Sequence, residues 1–172
     1  MTIAIRTAEP DDAKDACDVL RRSISECCED DHRHDAEVLA AWLGNKTPEN
    51  VRCWFGAQAN HSMVAIVDDR LAGVAVMTRQ GRIVLFYVAP ESRHIGAGKA
   101  MLQALETQAR NWGLASLQVT STLTARCFYA RNGYIEGATA KTSYGAEGVL
   151  FSKRLVASYP QKPACRCNLA AG

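Results

Sequence analysis

A glycine-rich turn between a predicted strand and a predicted helix is the stretch of this sequence best suited to do chemistry. The apolar run Ile83–Val88 predicts a strand, and Pro90 ends it because proline has no N–H to give to a sheet. The segment Ile95–Lys99 follows, and apolar residues then recur at helical spacing to about Trp112. Such a turn places the unpaired first N–H groups of a helix, and the positive end of its dipole, where an anion can bind.

The residue types in this turn favour a phosphate as the anion. Gly96 and Gly98 carry no Cβ, so the backbone can approach a phosphate closely or take a positive φ. Arg93 and Lys99 flank the turn and add positive charge. The local pattern therefore predicts a diphosphate cradle, although a plain strand–turn–helix joint with two glycines would read the same way.

Two common phosphate-binding motifs do not fit this turn. A P-loop requires GxxxxGK[ST], but Arg93 stands at the first glycine and Ala100 at the Ser/Thr position. The dinucleotide fingerprint GxGxxG fails because Met101 replaces its third glycine. The pattern that remains is Arg93-x-x-Gly96-x-Gly98.

A second patterned segment follows a short strand predicted around Leu117 and Val119. It reads Thr122-x-Thr124-Ala125-x-x-Phe128-Tyr129-x-x-x-Gly133-Tyr134, a helix bearing Phe-Tyr, then a glycine and an aromatic residue that starts the next strand. On its own, Tyr129 is compatible with a buried tyrosine whose hydroxyl is hydrogen-bonded. In this order and spacing, the two segments resemble the acyl-CoA-binding and closing motifs of the GCN5-related N-acetyltransferase (GNAT) family over about residues 68–154.

The resemblance implies a fold and a domain organisation. The fold class is α/β, a mixed, mostly antiparallel six- to seven-stranded sheet with helices on both faces, the acyl-CoA N-acyltransferase fold. In that family the strand ending at Val88 and the strand ending near Thr120 splay apart to admit the pantetheine arm. We expect one acetyltransferase domain over residues 1–157 and a flexible tail over residues 158–172, with Cys165 and Cys167 in that tail.

The resemblance also implies roles for particular residues. Tyr129 would be the general acid that protonates the leaving thiolate of CoA, since tyrosine is protonated at neutral pH with a reference pKa of about 10. The backbone N–H near Val88 would stabilise the oxyanion. The residues expected to bind the acetyl-CoA co-substrate are Tyr87, Val88, Arg93, His94, Ile95, Gly96, Ala97, Gly98, Lys99, Thr124 and Phe128.

The first helices and the loop between them form one wall of the acceptor pocket in this family. For this wall we name Glu26, Asp31, His32 and Tyr87, any of which is a candidate for the base, without ranking them. The segment Cys27–Asp35 (CCEDDHRHD) predicts a solvated loop and not a metal site, because its two cysteines are adjacent and it holds no CxxC or HxxxH. Trp42 and Trp54 are expected to be core anchors that also serve as specificity residues.

Composition limits the classes of partner. The chain has 172 residues, 48% hydrophobic, and a net charge of only +2, so we expect no general attraction to nucleic acid and no membrane association. Seven cysteines, an odd number with several in predicted helices, favour reduced thiols and a cytoplasmic location. The sequence allows a homodimer without predicting one.

The expected function is transfer of an acetyl group from acetyl-CoA to a primary amine of a small molecule or peptide, by direct attack. Two alternatives stay open: a non-catalytic acyl-CoA-binding or sensor module, and an acyltransferase with a different acyl group or an O-linked acceptor. An intact Tyr129 favours the enzyme, because a binding module has no need of an acid there.

Overall fold

The computed structural model describes residues 1–155. Its strands are β1 (Ile3–Thr7), β2 (Asn60–Val67), β3 (Arg70–Thr78), β4 (Arg82–Val88), β5 (Ser116–Ser121), β6 (Ile135–Lys141) and β7 (Glu147–Arg154). Its α-helices are α1 (Ala13–Arg22), α2 (Glu29–His32), α3 (Ala36–Leu43), α4 (Pro48–Gly56), α5 (Ala97–Asn111) and α6 (Arg126–Arg131). Short 3₁₀ turns span Pro10–Asp12 and Pro90–Ser92.

The strands form one seven-stranded sheet in the order β1-β2-β3-β4-β5-β7-β6. Neighbouring strands run antiparallel except β4 and β5, which are parallel. A connection between parallel strands needs a crossover, and α5 provides it. The expected mixed, mostly antiparallel sheet is confirmed.

Helices cover both faces of this sheet because side chains alternate along its central strands. On β3, Val74 packs with Leu20 of α1 and Val51 of α4. Its neighbour Ala75 belongs to the core on the opposite face, with Leu102 of α5. The predicted layering is therefore confirmed.

The parallel pair is short. β4 and β5 are in register only at Arg82–Gln118 and Ile83–Val119. From Leu85 to Val88, β4 stays paired with β3 on its other side and has no partner strand on the β5 side. The two strands thus diverge toward their carboxyl ends, as the family resemblance implied.

The amino-terminal helices are interrupted once and capped twice. The first is α-helical only to Arg22, and a π-helical turn spans Ser23–Cys27. Side chains cap the next two long helices: Asp35 accepts two hydrogen bonds from the first turn of α3, and Thr47 accepts one from the first turn of α4.

The expectations about the tail, the cysteines, metal binding and the membrane can be compared with the structure only over residues 1–155. The predicted boundary at residue 157, the tail and its two cysteines lie outside the described residues. The five cysteines within residues 1–155 are free thiols, and those residues contain no cluster of three or more His, Cys, Asp or Glu side chains able to hold a metal. None of the helices described is long and apolar enough to cross a membrane.

The prediction of a solvated loop over residues 27–35 is wrong for the centre of that segment. The segment forms α2, and Asp31 and His32 are buried. The Asp31 carboxylate accepts hydrogen bonds from the backbone N–H groups of Leu123 (2.6 Å) and Thr124 (3.3 Å) and from the Thr124 hydroxyl (2.6 Å). A run of charged residues in a sequence predicts exposure to solvent. Here one of those residues, Asp31, connects α2 to the loop between β5 and α6 by hydrogen bonds.

We expect Asp31→Ala to lower the free energy of unfolding by about 2 to 3 kcal/mol. Three donors of the β5–α6 loop would lose a charged acceptor, and the contact is partly shielded from water that could replace it. Asp30→Ala is the matched control: its side chain is exposed in the same helical turn, and the loss should stay below about 1 kcal/mol. Urea denaturation of both variants measures the difference. Equal losses would contradict the role given to Asp31.

Candidate functional site

The divergence of β4 and β5 opens a cleft of about 710 Å³. It is lined by β4, the start of α5, the β5–α6 loop, α6, and residues of α3 and α4 from the opposite face of the sheet. The cleft therefore joins the two faces of the sheet through the gap between the strands. Its size suits an organic ligand.

Most residues predicted to bind the co-substrate line this cleft. They are Tyr87, Val88, Arg93, His94, Gly96, Gly98, Lys99, Thr124 and Phe128. The side chains of Ile95 and Ala97 do not. Ile95 packs against the cluster of Val67, Ala72 and Ala97, in which Ala97 is completely buried.

The glycine turn has the conformation that its residue types allow. Gly96 is the N-cap of α5 with a φ of +100°, a left-handed conformation that favours glycine. The first intrahelical bond runs from the Ala100 N–H to the Gly96 carbonyl, at 3.0 Å. The N–H groups of the three residues between them, 97–99, therefore have no intrahelical partner and form an anion-binding end.

Gly98 lies where the cleft is narrow. A Cβ at this position would lie 3.4 Å from Cε2 of Phe128 and 3.6 Å from Cγ2 of Val88. A single methyl group fits at these distances, but a branched side chain would enter the space between α5 and β4. The absence of a side chain at residue 98 thus keeps this part of the cleft open.

The free edge of β4 presents backbone donors to the cleft. The Ala89 N–H donates to the Ala72 carbonyl at 2.8 Å, on the β3 side. Because successive N–H groups of a strand point in opposite directions, those of Val88 and Phe86 point to the β5 side, where β4 has no partner. These two donors face the cleft.

Tyr129 lies on α6 at the base of the cleft, with 3% of its surface exposed. Four aromatic rings surround it, with centroid distances of 5.2 to 6.1 Å: Phe86, Phe128, Tyr134 and Phe151. Burial raises the pKa of Tyr129 above its ordinary value, and no charge or hydrogen bond within residues 1–155 opposes that shift. The phenol is therefore protonated at neutral pH, and its hydroxyl forms no hydrogen bond to another of the described residues.

The other wall of the cleft is aromatic. The Trp42 ring stacks on Tyr144 with centroids 4.2 Å apart and planes 10° from parallel, and the Trp42 Nε1–H donates to the Tyr87 hydroxyl at 3.1 Å. Trp42 is buried, whereas Trp54 is only half-buried and also lines the cleft. Burial raises the pKa of Tyr87 well above its ordinary value, so Tyr87 stays neutral.

Three of the four residues named for the acceptor wall lie elsewhere. Glu26 is exposed, and its carboxylate contacts Arg22 at 3.4 Å. Asp31 and His32 line a smaller neighbouring pocket of about 240 Å³. The Asp31 carboxylate there already accepts hydrogen bonds from the β5–α6 loop. Tyr87 is the one that lines the main cleft.

Sequence reasoning missed Lys46 and Tyr144. Lys46 lies between α3 and α4, is only 7% exposed and lines the cleft. A lysine in a polar loop gives no sign of burial, and Tyr144 lies in a loop that carries no motif. Their placement depends on contacts between distant segments.

Comparison with known proteins agrees with this geometry. The model of the acetyltransferase (GNAT) domain matches residues 28–154. The chain belongs to the GNAT acetyltransferase family. Family membership makes it a transferase.

Solved GNAT structures share the fold. A GCN5-related N-acetyltransferase from Rhodopseudomonas palustris aligns with a TM-score of 0.79 at 22% identity, covering 90% of this chain and 97% of that one. PaiA N-acetyltransferase from Thermoplasma acidophilum, in complex with coenzyme A, has a TM-score of 0.73 at 18% identity, with 90% and 99% covered. The ribosomal-protein-S18-alanine N-acetyltransferase from Escherichia coli has 0.68 at 14% identity, with 94% and 99% covered. No functionally curated protein matches the sequence significantly.

Proposed function

We propose that this GNAT protein transfers an acetyl group from acetyl-CoA to a primary amine by direct attack, with Tyr129 as the general acid. The observation that carries the proposal is the buried phenol of Tyr129, without a hydrogen-bond partner among residues 1–155, at the base of a cleft that begins at an anion-binding helix end. A complex of coenzyme A with a protein of the same fold supports the choice of co-substrate.

The chain offers complementary groups to each part of acetyl-CoA. The free N–H groups of residues 97–99, with Arg93 and Lys99, suit the diphosphate. The free edge of β4 suits the amides of the pantetheine arm, which can pair with it as an added strand would. The Val88 N–H is then the donor available to the thioester oxygen as negative charge develops there.

The proton balance assigns Tyr129 its task. The acceptor nitrogen forms a bond to the carbonyl carbon, the C–S bond breaks, and the sulfur leaves with the electron pair. One proton must leave the nitrogen, and one must reach the sulfur. The Tyr129 hydroxyl supplies the second: burial keeps the phenol protonated until the reaction, and the same apolar surroundings disfavour a charged thiolate on the leaving group. The proton that leaves the nitrogen returns through water to the phenolate and restores the starting form of the enzyme.

If the glycine turn at the start of α5 binds the diphosphate, Gly98→Val should weaken acetyl-CoA binding by about tenfold or more, equivalent to about 1.4 kcal/mol. The branched side chain would occupy space between Phe128 and Val88. Gly56→Val is the matched control, because nothing lies within 4 Å of a Cβ at the end of α4. Calorimetric titration measures both, and an unchanged affinity in folded Gly98→Val would count against the cradle.

The assigned acid predicts that Tyr129→Phe lowers the rate of the chemical step by about 10²- to 10⁴-fold, the range for a positioned general acid. The Kd for acetyl-CoA should hardly change, because the interaction belongs to the transition state. Single-turnover thiol release isolates that step from product release.

Three other results would replace the proposal. A Phe variant as fast as the wild type would show that Tyr129 is not the acid. No turnover with any amine, in either protein, would favour the non-catalytic acyl-CoA-binding module. Turnover of alcohols, or of longer acyl-CoA thioesters in preference to acetyl-CoA, would point to the other acyltransferase chemistry.

A further inference from the structure

The charges that line the cleft are all of one sign. Among residues 1–155, the Lys and Arg side chains of its lining are Lys46, Arg93, Lys99 and Arg131, and no Asp or Glu lines it. An acceptor with several positive charges would therefore find no counter-charge there. The electrostatics favour an acceptor that brings a negative charge of its own.

Lys46 lies apart from the other cations of the lining. Arg93 and Lys99 flank the start of α5, and Arg131 ends α6. Lys46 instead precedes α4, on the face of the sheet that also holds α1. Its Nζ lies 5.8 Å from the centroid of the Trp54 ring, and Trp54 packs in the cluster of that face. Lys46 thus belongs to the aromatic wall of the cleft.

The ammonium group of Lys46 is buried without an anionic partner. The side chain is part of a residue only 7% exposed, and its Nζ donates to Oδ1 of Asn45 at 2.6 Å. Within the described residues it forms no ion pair, and burial lowers its pKa. A buried ammonium group without a counter-charge destabilises the fold, so its presence is better explained by a ligand than by stability.

The backbone holds Lys46 in place. Its carbonyl accepts hydrogen bonds from Sγ of Cys17 and from Nη1 of Arg21, each at 3.1 Å, and both donors lie on α1. Its N–H donates to the Leu43 carbonyl at 3.0 Å. Asn45, which accepts from its Nζ, and Trp54, whose ring lies below it, line the cleft as well. The position is prepared before any ligand arrives.

We propose that Lys46 binds a carboxylate of the acceptor, so that the preferred substrates are small amines of the amino-acid type that carry a free carboxylate. This inference rests on the proposed function, and it names the acceptor class for the same cleft. The half-buried Trp54 and the stacked Trp42–Tyr144 pair provide the apolar surface for the remainder of such an acceptor.

The test compares each standard L-amino acid with its own carboxamide, alongside spermidine as a polycation. The two members of a pair differ mainly in the anionic group. In the wild type, the best amino acid should have a kcat/KM about 10- to 100-fold above that of its carboxamide, the range for a charge-assisted hydrogen bond. Spermidine should be a poor substrate.

The Lys46→Met variant should lose this discrimination. Its kcat/KM for the amino acid should fall to that for the carboxamide, mainly through KM, while the carboxamide value stays unchanged. A loss of fold alone would lower both values together and leave their ratio intact. Lys14→Met, an exposed lysine on α1, is the matched control and should keep the wild-type ratio.

Three results would overturn the inference. One is a wild type that prefers carboxamides or spermidine. Another is a Lys46→Met variant that keeps the discrimination. The third is an equal fall in kcat for acids and carboxamides at constant KM, which would make Lys46 a base or a structural residue.

A binding measurement separates this inference from the proposed function. Calorimetry with CoA present compares the N-acetyl amino acid with its N-acetyl carboxamide. If no amine is turned over but the acid still binds about tenfold more tightly through Lys46, the catalytic proposal fails and the carboxylate site stands. If turnover occurs without that difference, the carboxylate site fails alone.

Discussion

The structure depends on the early end of pairing between β4 and β5. Two register pairs, Arg82–Gln118 and Ile83–Val119, hold the strands together, and beyond them β4 keeps hydrogen bonds only to β3. Residues 85–88 of β4 are half-buried, and backbone N–H groups withdrawn from water favour any partner that can pair with them. The divergence therefore creates a cleft through the sheet and leaves there the backbone donors that a ligand with amides can use.

Each wall of that gap is held by polar contacts between segments distant in sequence. On one side, Asp31 fixes the β5–α6 loop through Leu123 and Thr124. On the other, Trp42 donates to the Tyr87 hydroxyl and brings α3 onto β4. Such bonds are directional, so they fix the separation of the walls more closely than apolar packing alone.

Local pattern predicted much of the fold and part of the site. The glycine turn before α5 and the Phe128-Tyr129 helix were readable because each depends on neighbours in sequence. Asp31 and Lys46 were not, because their burial results from partners 92 and 29 residues away, Leu123 and Cys17. A charged residue in a polar stretch carries no sign of such a partner, so the wall of the cleft formed by α3 and α4 was the part that the sequence could not place.

The most direct test of the account is a ¹H–¹⁵N NMR titration with acetyl-CoA, because alternate amides of β4 face different neighbours. The amides of Phe86 and Val88, with those of residues 97–99, should show large shifts and slowed hydrogen exchange on binding. Those of Tyr87 and Ala89, already directed toward β3, should change little. Equal changes along β4, or none at Val88 and residues 97–99, would contradict the claim that the freed strand edge and the helix end hold the co-substrate.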